Sequence, residues 1–326
     1  MNMLLSCDWG TSALRLNLID AKSGQIMTGE RSDSGIAKTF ELWKATNITD
    51  ENSRIAFYLD VLQQLISNIE TRLSVSLNGV KLFISGMASS SIGFIELPYS
   101  QLPFALSGPG LQVKHLPAPE GFNHAISMIS GVRSADDVMR GEETQLIGCV
   151  EAIESTAVNQ VFILPGTHSK HIYVHQNNIT GFKTYMTGDL FELLSQKSIL
   201  HNSVEKENDI EAAEHALSFK QGVTDAAGGN LLHAIFKVRT NNLFNVYTKK
   251  QNFFYLSGLL IGTELKDLAV NSKDQFHLLC GAGLEKCYRM AFEQLNMAKQ
   301  LKTYPPQWVD EAVVRAHHKI YNQIGN

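Results

Sequence analysis

The chain has 326 residues, 44% of them hydrophobic and 18% charged, with a net charge of -4 and a pI near 6.3. The length allows two domains or one large one, and the composition is that of a soluble globular protein with a sizeable core. No large positive field is available for nucleic acid or an anionic membrane, which leaves small-molecule chemistry. Of the four cysteines, Cys7, Cys149 and Cys280 lie in apolar runs and no Cys-x-x-Cys pair occurs. They read as small buried hydrophobes in a reducing compartment. Met3-Leu4-Leu5-Ser6-Cys7 is strand-like from the start and lacks the basic segment and long apolar run of a signal peptide. The longest apolar stretch, around Tyr255 to Ile261, falls well short of the roughly 20 residues a membrane span needs. A cytoplasmic protein is expected.

The first thirty residues read as a strand meander: Leu4 to Asp8, then Leu14 to Asp20 with Leu14, Leu16 and Leu18 alternating, then Ile26 to Arg31 after a Lys22-Ser23-Gly24-Gln25 turn. From Arg54 to Val75 the period lengthens, and Tyr58, Leu62, Leu65, Ile66, Ile69 and Leu73 share one helical face. Val80 to Ser85 is a short apolar strand ending in Gly86, as a central parallel strand would be. A proline-rich loop with short strands follows between Pro98 and Pro119. Gly141 to Val150 reads as a helix with Glu142 and Glu143 in its first turn, where the helix dipole favours acids.

The opening theme then recurs. Val161 to Leu164 is a strand, Gly166-Thr167-His168-Ser169 a tight loop, His171 to His175 and Ile179 to Met186 two further strands around an Asn177-Asn178 turn. Gly10-Thr11 aligns with Gly166-Thr167, so the strand–loop–strand–turn–strand order occurs twice, with identity too low to establish a repeat by itself. Helices are expected from Thr187 through Leu194, over Phe219 to Lys237 and over Phe253 to Leu265, where Gly258 and Gly262 suit close helix packing. Phe276 to Leu279 is a last strand, leading through Cys280-Gly281-Ala282-Gly283 into a helix from Leu284. Gln307 to Ile320 is a terminal helix after Pro305-Pro306. His171 and His175 read as strand-surface residues, and His317-His318 as an exposed helix face.

Phosphoryl transfer needs backbone N–H donors around phosphates, a carboxylate to orient a hydrated cation, and a positioned nucleophile. A glycine in a tight turn lets the backbone approach phosphate oxygens, and adjacent N–H groups form an anion nest. Gly10-Thr11-Ser12 has that form, with Asp8 upstream at a strand end, where its lone carboxylate needs a partner such as hydrated Mg²⁺. A turn aspartate that satisfies its own backbone would look the same. The small residues Gly281, Ala282 and Gly283 would let a flat base lie against the backbone; the spacing is not the dinucleotide fingerprint, and no Walker A sequence occurs.

Asp8-Trp9-Gly10-Thr11-Ser12, Leu164-Pro165-Gly166-Thr167-His168-Ser169-Lys170 and Cys280-Gly281-Ala282-Gly283 resemble the two phosphate motifs and the adenosine motif of the sugar kinase/Hsp70/actin superfamily. Asp137 to Gln145, the Pro-Gly-Thr-His-Ser-Lys loop, Met186 to Phe191 and Leu256 to Gly262 further resemble the 2-dehydro-3-deoxygalactonokinase family, in order and over nearly the full length. The resemblance implies an α/β chain of two ribonuclease-H-like domains, the actin-like ATPase and sugar-kinase fold, with the active site in the interdomain cleft. The expected boundary gives residues 1–150 the first phosphate loop, the sugar-acid site and the base, and 151–326 the second loop and adenosine motif. The last helix, about 306–322, is one that could return to the first domain.

The resemblance also implies site residues. Glu142, after a glycine and shortly before the second loop, is the first candidate for general base and Glu143 the second; acids that merely favour a helix N-terminus would look alike. Asp8, Gly10, Thr11, Ser12, Arg15, Gly166, Thr167, His168, Ser169, Gly281, Ala282 and Gly283 are expected to hold ATP, with Asp8 orienting Mg²⁺. Trp9, Gly86, Met87, Ser91 and Arg140 are expected on the sugar-acid side. The family carries an Arg-Gln pair after Ser85-Gly86-Met87, where this chain reads Ala88-Ser89-Ser90-Ser91-Ile92. Arg140 can take the substrate carboxylate instead, or it only pairs with Glu143. The expected reaction is ATP-dependent 6-phosphorylation of 2-dehydro-3-deoxy-D-galactonate in galactonate breakdown. A related acid such as 2-keto-3-deoxygluconate, or a nucleotide-gated binding protein on the same fold, stays open, as does a homodimer. Fold alone does not choose among them.

Overall fold

The structure, a computed structural model, describes residues 2–108, 110–149, 158–270 and 273–324. Val150, where the expected helix ends, and the expected boundary at 150/151 lie outside the described residues. The chain forms two compact units: Met1–Ser155 with Asn177–Gly181 and Trp308–Asn326, and Thr156–Gln176 with Phe182–Gln307.

The first unit begins with β1 (Met3–Trp9), β2 (Leu14–Asp20) and β3 (Ile26–Ser32), then α1 (Ile36–Lys44), α2 (Glu51–Leu73) and β4 (Lys81–Gly86). Short strands β5 (Ser100–Gln101), β6 (Phe104–Ala105), β7 (Val113–Leu116), β8 (Ile126–Ile129), β9 (Val132–Arg133) and β10 (Val138–Met139) lead to α3 (Glu142–Cys149). The main sheet has the order β3-β2-β1-β4-β8-β7. β1 to β3 pair antiparallel, whereas β1, β4 and β8 run parallel. β1 is central, and Leu5, Cys7 and Trp9 on one of its faces join Leu14, Leu16 and Leu18 and the α2 stripe Tyr58, Leu62, Ile66 and Ile69 in one core. Asp50 caps α2 by accepting from the Ser53 N–H, and Ser74 in the left-handed region ends it. Each large side chain so buried is worth about 1.5–3 kcal/mol.

The second unit carries β11 (Gln160–Leu164), β12 (Ser169–His175), β13 (Asn178–Tyr185), α4 (Thr187–Gln196), α5 (Ala213–Gly228), α6 (Leu231–Leu243), α7 (Lys249–Leu265), β14 (Gln275–Leu278), α8 (Ala282–Gln294) and β15 (Leu301–Thr303). Its strands run in the order β15-β14-β11-β12-β13. β11 is antiparallel to β12 and parallel to β14, which is parallel to β15. This reproduces the β3-β2-β1-β4-β8 order of the first unit, so the twofold theme of the sequence is a repeated topology.

Three elements differ from the sequence reading, one of them the single helix expected over Gln307 to Ile320, which is broken at Glu311 into Pro306–Asp310 and Ala312–Ile324. The single helix expected over Phe219 to Lys237 is α5 and α6, interrupted at Gly228-Gly229, with the Asn230 side chain capping α6. α1 was not foreseen; it has nine residues and a glycine cap without a side-chain bond. Gly258 and Gly262 act as packing positions: a Cβ on Gly258 would sit 2.0 Å from the Phe219 carbonyl oxygen, and one on Gly262 2.8 Å from the Val223 Cα. α9 (Pro306–Asp310) precedes α10 (Ala312–Ile324), which packs on α3 so closely that a Cβ on Gly148 would overlap the Ala312 carbonyl. His317 is buried there and paired with Ser6 Oγ at 2.8 Å. It is a core residue, not the exposed one expected, because it shares the helical face of Val313, Val314 and Ile320. Burial without a counter-charge pushes its pKa down to about 3. Among the described residues no helix is long and apolar enough to cross a membrane.

Candidate active site

In the first unit the candidate residues gather at the carboxyl ends of β1 and β4, where open parallel sheets bind ligands. Asp8 and Trp9 stand in register with Ser85 and Gly86. Gly86 has φ +86°, and a Cβ there would come within 2.8 Å of the Trp9 carbonyl oxygen and 3.4 Å of Asp8 Oδ1. Gly141, with φ +114°, packs on it in turn, its own Cβ position 3.4 Å from the Gly86 Cα. Only glycine meets both demands, and the result seats the start of α3 on Gly86 at the end of β4, the strand beside that of Asp8.

The two acids of α3 differ. Glu143 is 1% exposed, and both its oxygens accept from the Gly141 N–H, at 2.9 and 2.8 Å, while Thr144 Oγ1 donates to one of them. Burial, reinforced by the neighbouring Glu142 charge, pushes its pKa up to about 7. Glu142 is half-buried and accepts from the Arg140 N–H at 3.0 Å. It is the more accessible of the pair. Arg140 donates to the carbonyl and hydroxyl oxygens of Ser89 and stacks over Tyr99 at 4.2 Å, with its Nε buried and without a partner. Met87 is half-buried and Ser91 exposed beside this cluster.

Asp8 is bonded to Arg15 Nη1 at 2.9 Å, so the partner expected of a hydrated cation is, in this structure, an arginine. Burial pushes the Asp8 carboxyl up against the pull of Arg15 and Arg31. Among the described residues no three His, Cys, Asp or Glu side chains group as a metal cage. Thr11 and Ser12 are exposed at the loop tip, and the first N–H groups of α1 hold the loop from behind: Ile36 donates to the Gly10 carbonyl at 2.9 Å and Ala37 to that of Thr11 at 3.1 Å. Trp9 does not join the surface group. It is fully buried against Tyr58 and donates its indole N–H to the Ser34 carbonyl, because it shares the core face of Leu5 and Cys7.

In the second unit Gly166, Thr167 and His168 are exposed between β11 and β12. The Asp189 N–H at the start of α4 donates to the Thr167 carbonyl at 2.9 Å. A Cβ on Gly188 would lie 2.5 Å from the Gly166 carbonyl oxygen, so the helix meets the loop in direct contact. His168 lies 3.9 Å from Asp189, beyond hydrogen-bonding range. Ser169 departs from the reading of its hydroxyl as a phosphate ligand. It is the first residue of β12, fully buried, and donates to Glu264. His171 is likewise buried, not on the strand surface; it bonds Glu264, a residue that no motif singled out.

Beside the loop lies a cavity of about 310 Å³, lined by Gly166, Gly188, Phe253, Ile261, Gly283 and Tyr288 among others, with Glu207 and Asn208 at its polar part. Gly281 caps α8, and a Cβ at Gly281 or Gly283 would meet open space. Loop and cavity together offer backbone N–H groups, an apolar slot and a few polar side chains within one unit, the make-up of a small-ligand site.

A crystal structure of a Sinorhizobium meliloti protein assigned as 2-dehydro-3-deoxygalactonokinase matches with a TM-score of 0.78 and 26% identity, covering 98% of this chain and 96% of that one. The activator of 2-hydroxyisocaproyl-CoA dehydratase from Clostridium difficile, at TM-score 0.50 and 10% identity, shares the fold alone. Two relatives carry the same activity name: "probable 2-dehydro-3-deoxygalactonokinase DgoK1" of Rhizobium meliloti (strain 1021), 28% identical and covering 89% of each chain, and the Escherichia coli (strain K12) enzyme, 32% identical over 220 residues, 65% of this chain and 70% of that one. The model of the family described as DGOK, 2-keto-3-deoxy-galactonokinase, matches residues 8–313, from the Asp8 strand end into α10. With its repeated actin-like topology and both glycine-threonine loops inside that span, this chain belongs to the 2-keto-3-deoxy-galactonokinase family, a family of sugar-acid kinases.

Proposed function

We propose that the protein transfers the γ-phosphoryl group of ATP to the terminal hydroxyl of 2-dehydro-3-deoxy-D-galactonate, giving the 6-phosphate. The observation that carries the reading is the seating of Gly141 on Gly86, which sets the first turn of α3, with Glu142 and Glu143, against the end of the strand paired with that of Asp8. Glu142, the accessible acid, accepts the hydroxyl proton; Glu143, locked onto the Gly141 N–H, fixes the helix start. Arg140, with a buried and unpartnered Nε, is suited to the substrate carboxylate.

The Gly10 to Ser12 backbone and the Gly166 to His168 loop hold phosphates, and the cavity at Gly283 takes the nucleoside. Asp8 is the residue that would orient Mg²⁺, and the cation would supply neutralisation of phosphate charge. We further propose that the first unit handles the acceptor and the second the nucleotide.

A coupled ADP-release assay over a panel of sugar acids tests the reading. Activity should be greatest with 2-dehydro-3-deoxygalactonate, and Glu142→Gln should lower kcat by about 10²–10⁴-fold. Near-normal turnover of the variant would remove Glu142 as base. Preference for 2-keto-3-deoxygluconate would move the substrate, in keeping with the Ser89 to Ile92 segment. ATP binding with no turnover of any acid would favour a binding protein.

A further inference from the structure

α7 carries a single carboxylate in an apolar stretch, Leu259-Leu260-Ile261-Gly262-Thr263-Glu264-Leu265. Glu264 is 2% exposed and accepts four hydrogen bonds from three other elements. Its Oε1 accepts from Ser169 Oγ at 2.7 Å and from His171 Nε2 at 2.9 Å, both on β12. Its Oε2 accepts from Thr187 Oγ1 at the start of α4 and from the Tyr288 hydroxyl on α8 at 2.9 Å. A carboxylate has about four acceptor sites and, when ionised, no donor, so the four partners fill it. The network therefore requires a proton on His171 Nε2. Burial pushes the Glu264 pKa up, but the hydrogen bonds and charge of His171, with the bonds from Thr187 and Ser169, outweigh it and hold it below the ordinary carboxylate range.

Buried charges are poor stabilisers compared with apolar groups, so the position of the four partners is the informative part. Ser169 closes the exposed loop Gly166 to His168 on its C-terminal side. Thr187 precedes Gly188, which lies against Gly166 and Thr167. Thr187 and Tyr288 both line the 310 Å³ cavity. One carboxylate thus ties the loop's exit strand, the helix that braces the loop and a wall of the cavity to a common point.

We infer that Glu264 is a positioning residue for the nucleotide: through Ser169, Thr187 and Tyr288 it fixes the loop against the cavity so that one nucleoside triphosphate engages both. The inference rests on the reading of that loop and cavity as the ATP site. Glu264 itself touches no substrate. Its effect falls on ATP affinity and leaves the acceptor and the chemical step alone.

The test is calorimetric titration of ATP into the full-length protein, with steady-state kinetics on both substrates. Glu264→Gln keeps the shape but offers one acceptor oxygen, and its amide hydrogens face two donors. It should weaken ATP binding roughly 10- to 100-fold, since small misplacements of positioning groups have effects of that order. KM for ATP should rise in step, while kcat at saturating ATP and KM for the sugar acid stay within about twofold. A folded Glu264→Gln protein with wild-type ATP affinity, or with kcat lowered as much as affinity, overturns the inference. Should that variant not fold, Ser169→Ala and Thr187→Val keep the carboxylate and must each weaken ATP binding, with a joint effect smaller than the product of the two; unchanged affinity in both overturns it equally. Wild-type protein that binds no ATP would instead sink the nucleotide site on which the inference stands.

Discussion

Glu143 in the first unit and Glu264 in the second are equally hidden from water, at 1% and 2% exposed, yet they are driven in opposite directions. Glu143 shares one backbone N–H between its two oxygens, receives one hydroxyl and faces the Glu142 charge, and its pKa is pushed up to about 7. Glu264 receives four donors, one of them a histidine, and is held low. Donor count and neighbouring charge decide the outcome, not burial. The same contrast runs through the loops. Both are gripped by the first N–H groups of the helix that follows the third strand, Ala37 to the Thr11 carbonyl and Asp189 to that of Thr167. Both are pressed by a glycine of that helix start, Gly35 and Gly188. But the strand-end position held by Asp8 in the first copy is Leu164 in the second. One scaffold therefore presents an acid at the end of the strand that enters the loop in one unit and an apolar residue at that place in the other.

The largest expected effect comes from erasing that asymmetry. Asp8→Asn should lower kcat by about 10²–10³-fold, the order found when one preorganised electrostatic group is removed from an active site, with ATP binding to the second unit's loop largely kept. Steady-state kinetics beside a binding titration separate the two; a loss of affinity alone would put Asp8 in ground-state binding.

The two glutamates should also respond to pH with opposite signs. Glu143 has a raised folded pKa, so the stability its neutral form provides is full below the ordinary carboxylate range and is lost as pH rises through about 7. Above that its ionisation costs roughly 3 kcal/mol. Glu264 has a lowered folded pKa, so its contribution is present above the ordinary range and lost as pH falls through the folded value. Glu143→Gln should therefore gain in Tm relative to wild type between pH 5 and pH 8. Parallel melting curves over that range would mean that Glu143 does not titrate there.

The smallest effect sharpens the shared part of the comparison. A Cβ on Gly35 would come 2.3 Å from the Thr11 carbonyl oxygen, close to the 2.5 Å at Gly188. Gly35→Ala and Gly188→Ala should each destabilise by about 1–3 kcal/mol through overpacking. Gly188→Ala, whose loop adjoins the nucleoside cavity, should also raise KM for ATP severalfold, and Gly35→Ala by less. Equal kinetic effects would imply that both loops bind the nucleotide with the same tightness.

How far the sequence reached depended on whether a feature was local. The two loops were legible because a strand running into Gly-Thr is a local pattern, and the α2 face because its period is local too. α1 escaped because nine residues behind a glycine cap carry little signal. Glu264 escaped because it bonds residues from 24 to 95 positions away, which no spacing reveals. Trp9 was open to a better reading, since strand alternation puts it with Leu5 and Cys7 in the core. His171 needed the true start of β12, at Ser169, before its burial could be seen.

The central claim, phosphorylation of the sugar acid at its terminal hydroxyl, is tested most directly by proton-coupled ³¹P spectroscopy of the product made from 2-dehydro-3-deoxygalactonate, ATP and Mg²⁺. The account predicts a new phosphomonoester signal split into a triplet by the two protons of a primary carbon. A doublet from a secondary carbon, or ADP release with inorganic phosphate as the only new signal, would contradict it.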